Sequence, residues 1–199
     1  YYARHLDELV HLGGGMYVFD HALFFGLQEH VSPHADVVFH GHGMDYLFQG
    51  MYLPTRSYRV FSRQTYLRRL RPLGDDLVSE YLSTIKFRLK FVDLFRYVRP
   101  PHRQRIQESL RHAVEEVIEQ GRSCCRTPLD VWEYLLIHAL SRHYSNCNIS
   151  DLVTSAEQRT LTFENDLFNF YLALPAGKRF AAQVMRCALR TMSPQLARF

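Results

Sequence analysis

Apolar residues recur at helical intervals along most of this chain, and the departures from that rhythm fall near its front. Tyr2 to Leu12 sets Leu6, Leu9, Val10 and Leu12 on a helical alternation that Gly13-Gly14-Gly15 ends. Met16 to Phe19 reads as a short extended piece, and His21 to His30 as a helix burying Phe24, Phe25 and Leu27. Ser32-Pro33-His34 then turns the chain into Asp36-Val37-Val38-Phe39, whose three β-favouring apolar residues predict a buried strand. Glycines two apart follow at Gly41 and Gly43, and Met44 or Asp45 opens an apparent helix.

After Pro54 the strand signal fades and the pattern is mostly helical. Leu73 to Tyr97 carries Leu77, Tyr81, Leu82, Ile85 and Leu89 at helical spacing until Pro100-Pro101 ends it. His102 to Gln120 is the clearest amphipathic helix, with Ile106, Leu110, Ala113, Val114, Val117 and Ile118 in one stripe closed by Gly121. Thr127-Pro128-Leu129-Asp130 has the order of an N-cap, a first-turn proline and an early acid, opening a helix through Trp132, Leu135, Leu136 and Leu140. These stripe residues, Trp132 included, are expected in a core.

With 199 residues and 47% hydrophobic content the chain can bury one substantial core, so residues 1–199 are read as a single domain or a large piece of one. The formal charge of +4 comes from arginines such as Arg68, Arg69, Arg71, Arg96 and Arg99 with acids interleaved, and no nucleic-acid partner is expected. The four cysteines form no C-x-x-C pair, which suits a reducing cytoplasm. Apolar runs are broken well before spanning length, so no membrane partner is expected either. The chain begins at Tyr1 without methionine, which suggests further sequence upstream.

The chemistry concentrates after Phe39. A strand, a glycine turn and a helix start form the layout of a phosphate-handling loop: glycine lets backbone amides approach an anion, and the Asp45 carboxylate can hold magnesium against phosphate oxygens. Four alternatives carry less. The triple glycine lacks the Lys-Ser or Lys-Thr of a P-loop. His40-Gly41-His42 with Asp45 misses the H-x-H-x-D-H spacing of metallo-β-lactamase-like enzymes, since Asp45 lies three residues after His42 and Tyr46 follows it. Cys124-Cys125 stands near Arg122 and Arg126 but has no assignable histidine partner, and Glu115-Glu116 reads as a solvated face.

Phe39 to Tyr52 resembles the loop S-G-E-G-x-D-E-x-F-G-G-Y of the synthetase domain of glutamine-hydrolysing asparagine synthetases, with Gly41, Gly43, Asp45, Phe48 and Gly50 matching at the family spacing. Glu157 to Glu164 is similar to the family's E-x-R-x-P-F-L-D, keeping Glu157 and Arg159 and placing Leu161 where the family has proline. Leu174-Pro175, Lys178 and Arg186-Cys187-Ala188-Leu189-Arg190 resemble its L-P, lysine and K-x-x-L-R segment. The resemblance implies an α/β fold, a fragment of a parallel-sheet ATP-pyrophosphatase-like domain that is predominantly helical after residue 54. Residues 1–54 would be the strand-loop-helix part of the nucleotide site, and 55–199 the helical part. The family's S-G-G-x-D-S nucleotide-binding segment and its glutaminase domain are expected upstream.

By the same resemblance the activity would be carbon-nitrogen ligation. The carboxylate of aspartate, or of a related small molecule, attacks ATP, pyrophosphate leaves, and ammonia displaces AMP from the acyl-adenylate. The implied cofactors are ATP and Mg2+. His40, Gly41 and Gly43 would lie against the nucleotide, Asp45 would hold the metal, and His42 and Arg186 would be catalytic. Two departures from the family bear on the chemistry: His42 stands for a glutamate and Arg186 for a lysine. Arginine can still clamp pyrophosphate but cannot donate a proton at neutral pH, whereas histidine can act as acid or base. The alternative is a non-catalytic helical interaction module that keeps the loop as scaffold.

Overall fold

The computed structural model describes residues 4–12, 28–59, 66–88, 98–138 and 156–198. Its elements in chain order are α1 (Leu6–Leu12), α2 (Gln28–Val31), β1 (Val37–His40), β2 (Thr55–Arg59), β3 (Tyr66–Leu70), α3 (Leu77–Arg88), α4 (Pro100–Cys124), α5 (Pro128–Leu136), β4 (Glu157–Thr160), α6 (Asn165–Ala173), α7 (Ala176–Arg179) and α8 (Gln183–Met192), with 3-10 turns at Phe180–Ala182 and Leu196–Arg198. This is a mixed helix and strand chain with a small parallel sheet, β1 beside β4, and a separate antiparallel pair, β2 with β3. Among the described residues no helix is long and apolar enough to cross a membrane. The expected extended piece at Met16 to Phe19, most of the expected helix at 21–30, and Leu140 lie outside the described residues.

Two compact units result, one from residues 1–51 with 139–199 and one from Tyr52–His138. In the second, Leu77, Val78, Tyr81, Val114, Ile118, Val131, Trp132 and Leu135 are buried, while Ile106 and Ala113 of the expected α4 stripe are exposed. Trp132 Nε1 donates to the Tyr52 carbonyl at 3.0 Å, so the indole keeps its hydrogen bond inside the core, and Tyr81 meets the indole edge-on with ring centroids 6.0 Å apart. The start of α5 follows its sequence signature: Thr127 Oγ1 accepts from the Asp130 N–H, Asp130 Oδ2 accepts from the Thr127 N–H, and Pro128 begins the helix.

Pro100 and Pro101 open α4, since a proline in the first turn gives up an N–H that has no intrahelical partner, while the end of the helix expected before them, residues 89–97, lies outside the described residues. Two expectations change here. Gly121 does not close α4, which runs on to Cys124. A Cβ at Gly121 would sit 3.0 Å from Tyr134 Cδ1 and 3.2 Å from Val131 Cγ1, so the glycine lets α5 approach the helix backbone. Gly121→Ala therefore sets a helix-propensity gain of about 1 kcal/mol against an overpacking cost of roughly 1–3 kcal/mol. A net loss is expected in urea unfolding, and a gain would show that α4 and α5 pack less closely. The second change is the β2–β3 pair itself, which interrupts the largely helical stretch after residue 54. It is tied to α3 by the Arg71–Glu80 ion pair.

Candidate functional site

In the first unit, β1 and β4 run parallel with Val37, Val38, Phe39 and His40 beside Glu157, Gln158, Arg159 and Thr160. The two-residue period puts Val38, His40, Gln158 and Thr160 on one face. Phe39 and the Glu157–Arg159 ion pair, with N and O 2.7 Å apart, lie on the other. The expected strand is present but only half-buried, and Phe39 is 65% exposed. Its physical reason is that β4 is the one strand neighbour of β1 among the described residues, and their outer face carries charge.

The segment after β1 is a run of turns and not the expected helix. Leu47 N–H reaches the Gly43 carbonyl at 3.0 Å and Phe48 N–H the Met44 carbonyl at 3.0 Å, but Met51 N–H then returns to the Asp45 carbonyl at 3.3 Å. Left-handed glycines bound the run, Gly43 at φ 87° and Gly50 at φ 69°, and that backbone cannot continue a right-handed helix. Tyr46, Leu47 and Phe48 are buried beneath it. Phe48 meets Tyr171 of α6 with ring centroids 5.2 Å apart, the Arg179 guanidinium lies over the Tyr171 ring at 5.3 Å, and the Ala181 N–H donates to the Gln49 carbonyl at 3.2 Å.

The turn is also locked to the end of β4. Thr160 Oγ1 donates to the His42 carbonyl at 3.0 Å, and the Cβ position of Gly43 is filled by Thr162 and Phe163. Gly41 differs: the space where its Cβ would stand is open to 4 Å. Of the two glycines, Gly41 is therefore the one whose backbone an anion can approach, and Gly43 is the one that seats the turn.

His40, Gly41, His42, Gly43 and Asp45 are thus gathered on one turn at the C-terminal end of a parallel strand, where ligands bind in open α/β sheets. His42 lies between the His40 ring, at 6.0 Å, and the Tyr46 ring, at 5.6 Å. The His42 N–H donates to His40 Nδ1 at 3.3 Å, which leaves the neutral His40 its proton on Nε2. Burial holds the His40 pKa below the usual 6.5, and a charge on His42 lowers it further. The unfolded chain then binds more protons than the folded one, so this contribution to stability is present above pH 6.5 and is lost as the pH falls below that value. His40→Gln is expected to flatten that acid limb in urea titrations at stepped pH, and an unchanged limb would remove His40 as its source.

Asp45 is exposed, and Arg186 is exposed on α8. Neither makes an ion pair among the described residues, and no hydrogen bond joins Arg186 to the turn. The turn residues are brought together by the fold, while Arg186 shares their unit without a described link to them. No group of three or more His, Cys, Asp or Glu side chains among the described residues is placed to hold a metal.

Sequence reasoning missed Thr160, Thr162 and Phe163, which brace the turn, and Arg179, which covers the Tyr171 ring packed on Phe48. The first three sit inside or beside the Glu157–Glu164 segment, so their order was visible but their partner was not. Glu164 caps α6 by accepting from the Asp166 and Leu167 N–H groups. The Thr162 hydroxyl and both ends of the Gln158 carboxamide are buried without a hydrogen-bond partner. Comparison with family models, with curated proteins and with solved structures finds no match.

Proposed function

We propose that this chain forms one wall of the nucleotide site of an ATP-dependent amide-forming ligase similar to asparagine synthetases. One observation carries the reading. The two segments that the resemblance selects separately, Phe39 to Tyr52 and Glu157 to Glu164, are neighbours in space, joined as parallel strands and through the Thr160–His42 bond. More than a hundred residues of chain separate them.

The residues present fit ATP and Mg2+ on two counts. Open space at Gly41 leaves room for phosphate beside its backbone. Magnesium takes one or two carboxylates and completes its shell with water and phosphate oxygens, so a single exposed Asp45 without an ion pair is enough protein ligand. Bound there, the metal would neutralise charge developing on the leaving pyrophosphate. In this reading Gly41 and His40 line the nucleotide, Gly43 orients the turn, Asp45 holds the metal and Arg186 adds a cation for pyrophosphate. His42, at the edge of the turn, handles protons in the later transfer of nitrogen to the acyl group.

The test is isotope exchange between pyrophosphate and ATP in the protein that carries this chain, with a panel of amino-acid carboxylates beginning with aspartate. Carboxylate-dependent exchange is the expected result. No exchange with any member of the panel would favour the non-catalytic module, in which the same braced turn serves as scaffold.

A further inference from the structure

The chain's formal +4 is the excess of 24 lysines and arginines over 20 acids. Six of those arginines, Arg56, Arg59, Arg63, Arg68, Arg69 and Arg71, fall between Thr55 and Arg71, a stretch without an acidic residue. The rest of the chain then carries 18 basic against 20 acidic side chains, so its basicity belongs to this one stretch.

The fold concentrates the charge further. β2 and β3 pair antiparallel in a register that sets Arg56 opposite Arg69 and Ser57 opposite Arg68. Like charges directly opposite each other destabilise a ribbon, and neither Arg56 nor Arg69 makes an ion pair among the described residues. Other arginines here are engaged: Arg68 Nη2 donates to Thr55 Oγ1 at 3.3 Å, and Arg71 pairs with Glu80. The Arg56 guanidinium lies over the Tyr58 ring at 5.5 Å, and Tyr58 is 44% exposed. By the two-residue period and the register, Arg56, Tyr58 and Arg69 share one face of the ribbon.

We propose that this face binds single-stranded nucleic acid, with Arg56 and Arg69 on consecutive backbone phosphates and a base stacked on Tyr58. A polyanion relieves the opposed arginines, and an exposed ring flanked by guanidinium is the platform on which unpaired bases stack. The alternatives use less of the face. A duplex keeps its bases from the ring, and an acidic peptide satisfies the cations but leaves Tyr58 idle. A membrane surface calls for exposed aliphatic anchors, and among the ribbon residues whose side chains are described the exposed ones are Arg56, Ser57, Tyr58, Arg68 and Arg69. The proposal departs from the sequence-based expectation of no nucleic-acid partner, because residues 56 and 69 meet only through the strand register.

The experiment measures anisotropy of a labelled mixed-sequence oligonucleotide, as DNA and as RNA, with the full chain at stepped salt. Single strands are expected to bind at about 50 mM salt and to weaken steeply as salt rises. Arg56→Glu places a carboxylate opposite Arg69, so it should keep or raise the melting temperature while weakening binding about tenfold or more and lowering the salt slope by roughly 1.4 for two lost phosphates. Tyr58→Ala should weaken binding roughly five- to hundredfold with little change in slope. Arg105→Glu with Arg190→Glu, at exposed positions outside the ribbon, is the control for net charge and should cost much less. The proposal is overturned by no binding at low salt, by preference for duplex or for anionic phosphatidylserine vesicles, by an equal loss in the control, or by an indifferent Tyr58→Ala.

Discussion

Asp45→Asn is expected to leave the fold intact and to lower carboxylate-dependent ATP–pyrophosphate exchange about a hundredfold, because losing roughly 3 kcal/mol of transition-state stabilisation costs that much rate. The first half rests on placement: the carboxylate is exposed and makes no ion pair, so nothing in the described structure depends on its charge. The second half rests on chemistry, since a neutral amide binds magnesium far more weakly than a carboxylate. Arg186→Ala should act in the same direction, whereas His42→Ala should spare exchange and slow only the later nitrogen transfer. Circular dichroism alongside the exchange assay separates lost chemistry from lost folding. Full exchange by the Asp45→Asn protein would take the metal away from this residue, and with it the strongest chemical argument for the turn as a nucleotide wall.

How much of this was legible beforehand depended on whether the signal was local. The start of α5 could be read from Thr127, Pro128 and Asp130 because a capping box is built from residues three apart. The strand before Gly41 could be read from Val37 and Val38, though not its half-exposed state, which depends on what lies beside it. The β2–β3 ribbon gave no such signal. Thr55–Arg59 and Tyr66–Leu70 are rich in arginine, carry few apolar residues, and become strands through pairing with each other. Gly121 was misread for a related reason, since a glycine late in a helical stripe has the same local appearance whether it stops the helix or admits a neighbour. The candidate turn was visible as a motif, but Thr160, Thr162 and Phe163, its braces, come from a distant segment.

Those braces make Gly43→Ala the substitution with the largest expected effect on stability. A Cβ there would stand 3.0 Å from Phe163 Cε2 and Cζ and 3.0 Å from Thr162 Cγ2, closer than ordinary van der Waals contact. The backbone at φ 87° adds a second cost, since an L-residue in the left-handed region is disfavoured by about 1–2 kcal/mol. Overpacking against a buried threonine and the Phe163 ring adds roughly 1–3 kcal/mol. Together these consume a large part of the 5–15 kcal/mol or so that holds a typical domain folded. Gly41→Ala is the matched comparison: its Cβ enters open space, so its stability should stay within about 0.5 kcal/mol of the unmutated chain. If Gly41 does face the nucleotide, that same methyl should still depress exchange, separating a residue that shapes the site from one that seats it. Urea unfolding of both variants decides the matter, and equal midpoints would mean that Gly43 does not pack against Thr162 and Phe163 as closely as described.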